Sequence, residues 1–188
     1  MLKEKKNVIT ITGDLASGKT TVTNLIAEQL GYSIHRNGAY ARKIAKDLGM
    51  SVTQYNEYVE KHPEIDRQIE NSAAEYVKNN DNVIVDARLG WYSVPDSFKV
   101  YLSVELEISA ERALKDTDRK DTEKFVTLEE QKKDIQKRYK MENERFLKLY
   151  NIRRDDMSNY DLVLDTTKKT PQEIKDIIIQ KYNEWLKK

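Results

Sequence analysis

A run of β-branched residues from Asn7 to Thr12 leads straight into Gly13-Asp14-Leu15-Ala16-Ser17-Gly18-Lys19-Thr20-Thr21, and Val22, Leu25, Ile26 and Leu30 then recur at helical spacing. This order predicts a buried strand, a tight glycine-bearing loop and a helix that Gly31 ends. Gly13, Gly18, Lys19 and Thr20 fit the G-x-x-x-x-G-K-[ST] spacing. Glycines let such a loop close tightly, and its N–H groups and the following helix N-terminus then point at one spot. That spot suits phosphate. Gly13, Asp14, Ala16, Ser17, Gly18, Lys19, Thr20 and Thr21 are the expected cradle, with Lys19 bridging the β- and γ-phosphates of a nucleotide and the Thr20 hydroxyl binding Mg²⁺.

The rest of the chain alternates strands with helices. Tyr32–His35, Val83–Asp86, Lys99–Val104 and Leu162–Leu164 read as further strands. Helices are expected over Ala39–Leu48, from a capping box at Ser51 to Pro63, over Glu64–Lys78, from Ala110, from the capping box at Thr127 to about Tyr150, and from Pro171 to the end. Such alternation predicts an α/β fold with a parallel sheet covered on both faces. The stretch from Lys115 to Val126 is charged and poor in apolar residues, which predicts a mobile excursion.

Composition removes several alternatives. The 188 residues suffice for one domain with a real core, and the chain has no cysteine for a thiolate nucleophile, a disulfide or a thiolate metal site. Lys and Arg total 33 against 32 Asp and Glu, so no bulk field favours nucleic acid or a membrane surface. The 11 tyrosines are not interleaved with a basic patch, and those on helices, such as Tyr55, Tyr58, Tyr76 and Tyr139, are expected to be half-buried. His35 and His62 lack ligand spacing. The expectation is a soluble, cytoplasmic protein, a monomer or weak dimer, with no nucleic-acid or membrane partner.

A phosphate loop alone does not separate transfer from storage. Phosphoryl transfer requires two anionic groups held in line and neutralised, which predicts arginines converging on the loop. Arg88 follows the Val83–Asp86 strand at the carboxyl edge of the sheet, where ligands of such folds bind. Arg42 lies near a helix start, Arg112 and Arg119 flank the charged excursion, and Arg138 and Arg145 share a helix face seven residues apart. For Arg112 or Arg138 taken alone, a solvated surface role or an i,i+4 pair is the ordinary expectation. Asp86 either orients Mg²⁺ through water or simply ends its strand.

With these pieces in place, the sequence resembles the nucleoside monophosphate kinases, and most closely the archaeal-type cytidylate kinase-like family. The likeness runs from Ile9 to about Ile178. Beyond the loop it rests on Asn37–Ala45, Ile65–Ile69, Val85–Trp91, the Arg112 and Arg119 segment, Glu142–Tyr150 and Tyr160–Thr166. It implies a P-loop kinase, three-layer α/β/α with a five-stranded parallel sheet, a helical acceptor-binding subdomain at about 38–77 and a mobile lid at about 113–127. It further implies γ-phosphate transfer from ATP, with Mg²⁺, to a nucleoside monophosphate such as CMP or dCMP. Arg42, Asp66 and Arg88 would then serve the acceptor, Arg112, Lys115 and Arg119 the lid, and Lys19, Arg88, Arg119 and Arg145 the transfer itself.

Three positions depart from the family pattern. Lys115 stands where the lid commonly has arginine, Ala87 replaces a glycine, and Leu89 replaces the aspartate by which bacterial-type members help read the base. Two other readings therefore stay open: a P-loop kinase of another small acceptor, such as dephospho-coenzyme A or a hydroxy acid, and a non-catalytic ATP-binding switch.

Overall fold

The computed structural model describes residues 7–50, 52–116 and 127–187. Five parallel strands form one sheet: β1 (Val8–Gly13), β2 (Ser33–Arg36), β3 (Val83–Asp86), β4 (Phe98–Ser103) and β5 (Leu162–Asp165), in the order β2-β3-β1-β4-β5. Around them lie α1 (Lys19–Leu30), α2 (Asn37–Asp47), α3 (Val52–Lys61), α4 (Pro63–Asn79), α5 (Gly90–Ser93), α6 (Leu106–Lys115), α7 (Leu128–Tyr150) and α8 (Pro171–Leu186). Because β1 lies between β3 and β4, the chain's crossovers reverse direction beside it, and the crevice at its carboxyl end receives the loop.

The core has two main layers, one per sheet face. Ile9, Ile11, Ile84, Val100 and Leu102 pack against Val22 and Ile26 of α1 and Ile174, Ile178 and Tyr182 of α8. On the other face Val8, Val83 and Val85 meet Ala73 and Val77 of α4. A third group, Ala45, Tyr55, Val59 and Ile69, joins α2, α3 and α4 into the helical subdomain. Burying each such side chain contributes about 2 kcal/mol, so the sheet faces dominate stability. Among the described residues no helix is long and apolar enough to cross a membrane.

The α/β expectation holds, with differences in detail. Helix α6 begins at Leu106, four residues before the expected start, because the Ser109 N–H already bonds the Glu105 carbonyl at 2.8 Å. The one-turn α5 was not expected, nor was a 3₁₀ turn at Met157–Asn159. Both capping boxes at Thr127 and Thr170 form with their glutamates. Ser51 and residues 117–126, most of the charged excursion, lie outside the described residues.

Candidate active site

Gly13 ends β1 so close to β4 that a Cβ there would overlap the Leu102 carbonyl. Only glycine fits. The Asp14 N–H donates to that same carbonyl at 2.9 Å, and its carboxylate accepts from the Tyr101 hydroxyl at 2.6 Å and the Val104 N–H at 3.1 Å. The Asp14 side chain thus anchors the loop to β4, leaving backbone N–H groups as what this position can offer an anion. Ala16 and Gly18 are both left-handed, at φ 53 and 87, and no side chain caps α1. The first amides of α1 are therefore left for a ligand. Thr20 and Thr21 are exposed in that turn.

Lys19 curls back over the loop. Its Nζ donates to the carbonyls of Asp14 at 2.7 Å and Gly13 at 3.1 Å, with Ser17 Oγ at 3.5 Å. Burial, and then the charge of Arg88, lower its pKa to about 7.

Facing the loop is a group of arginines organised by one carboxylate. Glu142 is buried on α7, and its Oε2 receives Arg154 Nη1 at 3.0 Å and lies 3.3 Å from Arg88 Nε. Burial alone would raise this carboxyl. The charges of Arg88, Arg154, Arg138 and Arg145 reverse that and hold it at about 2. Arg88 also donates through Nη1 to the Gly13 carbonyl at 2.8 Å, so one side chain joins the loop to the cluster. Arg154, only 1% exposed, is folded under α7 after the left-handed cap at Asn151 and lies 4.7 Å from the centre of the Tyr139 ring. A cavity of about 480 Å³ opens here, lined by Asp14, Arg88, Tyr101, Arg138, Tyr139 and Arg154 among others.

Farther along, Arg145 pairs with Asp66 at 2.9 Å, joining α7 to α4. Desolvation raises the Asp66 carboxyl against the pull of Arg145. One turn on, Glu70 is 6% exposed; Asn37 Nδ2 and Ser93 Oγ both donate to its Oε2 at 3.3 Å. Burial, and then Asp66, push Glu70 up to about 7. Asp86 lies at the end of β3 with Arg36 Nε at 3.9 Å. The exposed Thr20 hydroxyl and this half-buried carboxylate are hard oxygen donors of the type Mg²⁺ takes, and no cluster of three or more acidic, His or Cys side chains exists among the described residues to hold a metal by protein alone. The donor set fits an ion that shares its shell with nucleotide phosphates.

The expected residues are thus unevenly gathered. Lys19, Arg88, Asp66 and Arg145 converge. Arg42 is exposed on α2 and shares none of the ion pairs that join the others. Arg112 is not a solvated surface arginine: it donates to the carbonyls of Thr166 at 2.9 Å and Thr167 at 3.3 Å, fixing α6 to the turn after β5. Arg138 forms the i,i+4 pair expected of a helix arginine, with Asp134 at 3.7 Å, but its side chain is only 13% exposed. Lys115 is exposed at the end of α6, and Arg119 lies outside the described residues. Glu142, Arg154, Arg36 and Glu70 were missed. Only Glu142 carried a signal, because Arg138, Glu142 and Arg145 are spaced four and three apart and so share a helix face.

Comparison with known proteins shows the family and the fold. Residues 8–168 match the model of the cytidylate kinase-like family. A cytidylate kinase of Thermoplasma volcanium is 35% identical over 96% of this chain and 93% of its own length. Among solved structures, an uncharacterized protein from Eubacterium ventriosum superposes with a TM-score of 0.69 at 16% identity, covering 95% of this chain and 99% of its own. A gluconokinase from Sinorhizobium meliloti gives 0.61 at 15% identity over 98% and 96%. At such identities these two structures speak for the fold alone.

Proposed function

The chain belongs to the cytidylate kinase-like family, a family of nucleoside monophosphate kinases, and on that premise we propose that it transfers the γ-phosphate of ATP to CMP or dCMP, yielding ADP and the diphosphate. The observation that carries the reading is Arg88, bonded at once to the loop carbonyl of Gly13 and to Glu142. A guanidinium held between donor loop and arginine cluster is positioned to touch the acceptor phosphate where transfer occurs.

In this reading the loop amides and Lys19 bind the β- and γ-phosphates. Lys19 leaves the carbonyls of Gly13 and Asp14 for the incoming anion. Arg88 grips the acceptor phosphate, and Arg138, Arg145 and Arg154 neutralise charge as it spreads over the transferring group. Glu142 keeps these guanidiniums apart and oriented before either substrate arrives, so little reorganisation is needed in the reaction. Thr20, with Asp86 through water, would hold Mg²⁺. That ion would offset the negative charge of the transferring phosphates. Arg42, Arg112, Lys115 and Arg119 complete the reading as contacts made when the acceptor subdomain and the lid close.

Incubation with Mg-ATP and each of CMP, dCMP, UMP, AMP and GMP tests it. ADP should form in dependence on CMP or dCMP. Turnover with none of the five would refute the proposal. ATP binding without any acceptor-dependent turnover is the signature of a switch, and turnover with a non-nucleotide acceptor is that of another P-loop kinase.

A further inference from the structure

Next to the arginine cluster lies a group of buried polar side chains that the transfer chemistry does not use. Asp66 and Glu70 are one turn apart on the same face of α4. Around them are two buried hydroxyls without a hydrogen-bond partner among the described residues, those of Tyr55 on α3 and Tyr150 on α7. Tyr55 is only 7% exposed, and both hydroxyls feel the charges of Asp66 and Arg145. Unpaired buried hydroxyls are costly, and two around one spot mark a place for a polar ligand.

The hydrogen bonds there fix which atom of Glu70 remains available. The Ser72 hydroxyl donates to the Ile69 carbonyl at 2.6 Å, so its oxygen is an acceptor toward His35 Nε2 at 3.1 Å. His35 Nε2–H is then the donor that also faces Asn37 Oδ1 at 3.0 Å. This sets the Asn37 amide, whose Nδ2 donates to Glu70 Oε2, and Ser93 Oγ donates to the same oxygen. Two donors on Oε2 leave Oε1 without a partner among the described residues.

The geometry points to Glu70 Oε1 as the atom that reads the exocyclic group at position 4 of the acceptor's pyrimidine, accepting from the amino group of cytosine and disfavouring the carbonyl of uracil. This rests on the monophosphate-kinase reading and deepens it. Glu70 lies one helical turn, about 5.4 Å, beyond the Asp66–Arg145 pair that borders the phosphate-gripping cluster. A nucleotide whose phosphate meets Arg88 extends its sugar past that pair and its base edge to the next turn. The Tyr150 ring, packed on Tyr92 at 5.7 Å, supplies an aromatic wall for a flat base. The amino group of cytosine is a donor and the corresponding atom of uracil an acceptor, so a fixed acceptor oxygen separates them. Glu70 is a specificity-determining residue in this scheme, doing for this chain what Leu89 cannot.

Glu70→Gln gives an asymmetric test. With Asn37 and Ser93 still donating, glutamine must turn its carbonyl toward them and its –NH₂ into the pocket. The fixed acceptor becomes a fixed donor. The ratio of kcat/KM for CMP over UMP should fall by about tenfold or more, through loss with CMP and gain with UMP, while ATP affinity and thermal stability show the variant folded. In the unaltered protein the same ratio should climb between about pH 6 and pH 8 as Glu70 ionises, and the variant should lack that climb. The charged and titratable groups facing Glu70 are Asp66 on α4, Arg145 and Tyr150 on α7, and His35 of β2 through Asn37. An unchanged CMP-to-UMP ratio in the variant, with CMP still phosphorylated, overturns this inference and leaves the kinase reading standing. A change confined to the CMP-to-dCMP ratio overturns it in favour of sugar recognition. Absence of turnover with every monophosphate in the unaltered protein would instead be the failure of the kinase reading itself.

Discussion

Asp66 of α4 and Arg145 of α7 meet at 2.9 Å with side chains only 6% and 10% exposed, and they tie the helical subdomain to the helix that carries the arginine cluster. Removing one member strands a buried charge. Asp66→Ala is therefore expected to cost about 3 kcal/mol in urea unfolding, whereas pairing it with Arg145→Met should recover much of that loss. Strictly additive single and double variants would show that the pair is not coupled.

Arg88→Ala cuts the link between loop and cluster. Transfer should fall by about 10³-fold while ATP affinity changes by a small factor, because the loop amides and Lys19 remain. Rapid-quench turnover and equilibrium ATP titration separate the two quantities. Parallel collapse of both would mean that Arg88 serves the loop and not the transfer.

Lys19 has a pKa lowered to about 7, so at pH 8 it is mainly neutral before nucleotide arrives. Phosphates favour its charged form, so binding should draw a proton from solvent, approaching one per site near pH 8 and vanishing below about pH 6. Calorimetric titration in two buffers of different ionisation heat reads this number directly. Lys19→Met should abolish it, and equal heats in both buffers would contradict it.

The two buried glutamates should respond to pH with opposite sign. Glu142, depressed to about 2, contributes stability that is present above its unfolded value and lost as pH falls through the folded one. Glu142→Gln should therefore destabilise near neutrality, on the order of 3 kcal/mol. Glu70, raised to about 7, is more easily protonated folded than unfolded, so its ionisation opposes folding as pH rises above about 4.5. Glu70→Gln should be the more stable form near pH 8 and equal to the parent in acid. Chemical unfolding across pH 2 to 9 decides both, and curves of like sign would sink the assignment.

The loop and its helix were readable because phosphate binding constrains backbone, and backbone constraints appear locally as Gly13, Gly18 and Lys19 at fixed spacing. Strand and helix order followed from periodicity. Arg154 was not readable: its burial depends on the chain reversing at Asn151 and passing beneath Tyr139, a long-range outcome with no local mark. Glu70 was hidden for another reason. An acidic residue on an amphipathic helix normally reads as solvated, and only the convergence of Asn37 and Ser93 shows otherwise. The start of α6 was misread because Glu105 makes no side-chain cap there.

Helix α1, which begins at the loop lysine, packs on α8, and their surroundings share a hydroxyl contact between Tyr32 and Tyr182 at 3.2 Å across 150 residues of sequence. Closing so long a separation is entropically slow, so this layer should consolidate late in folding. The phosphate cradle, though encoded within the first strand-loop-helix unit, is then among the last parts of the molecule to become rigid. Pulse-labelled hydrogen exchange should find the amides of Val22–Ile26 gaining protection together with those of Ile178–Tyr182, after the β1–β3 pair.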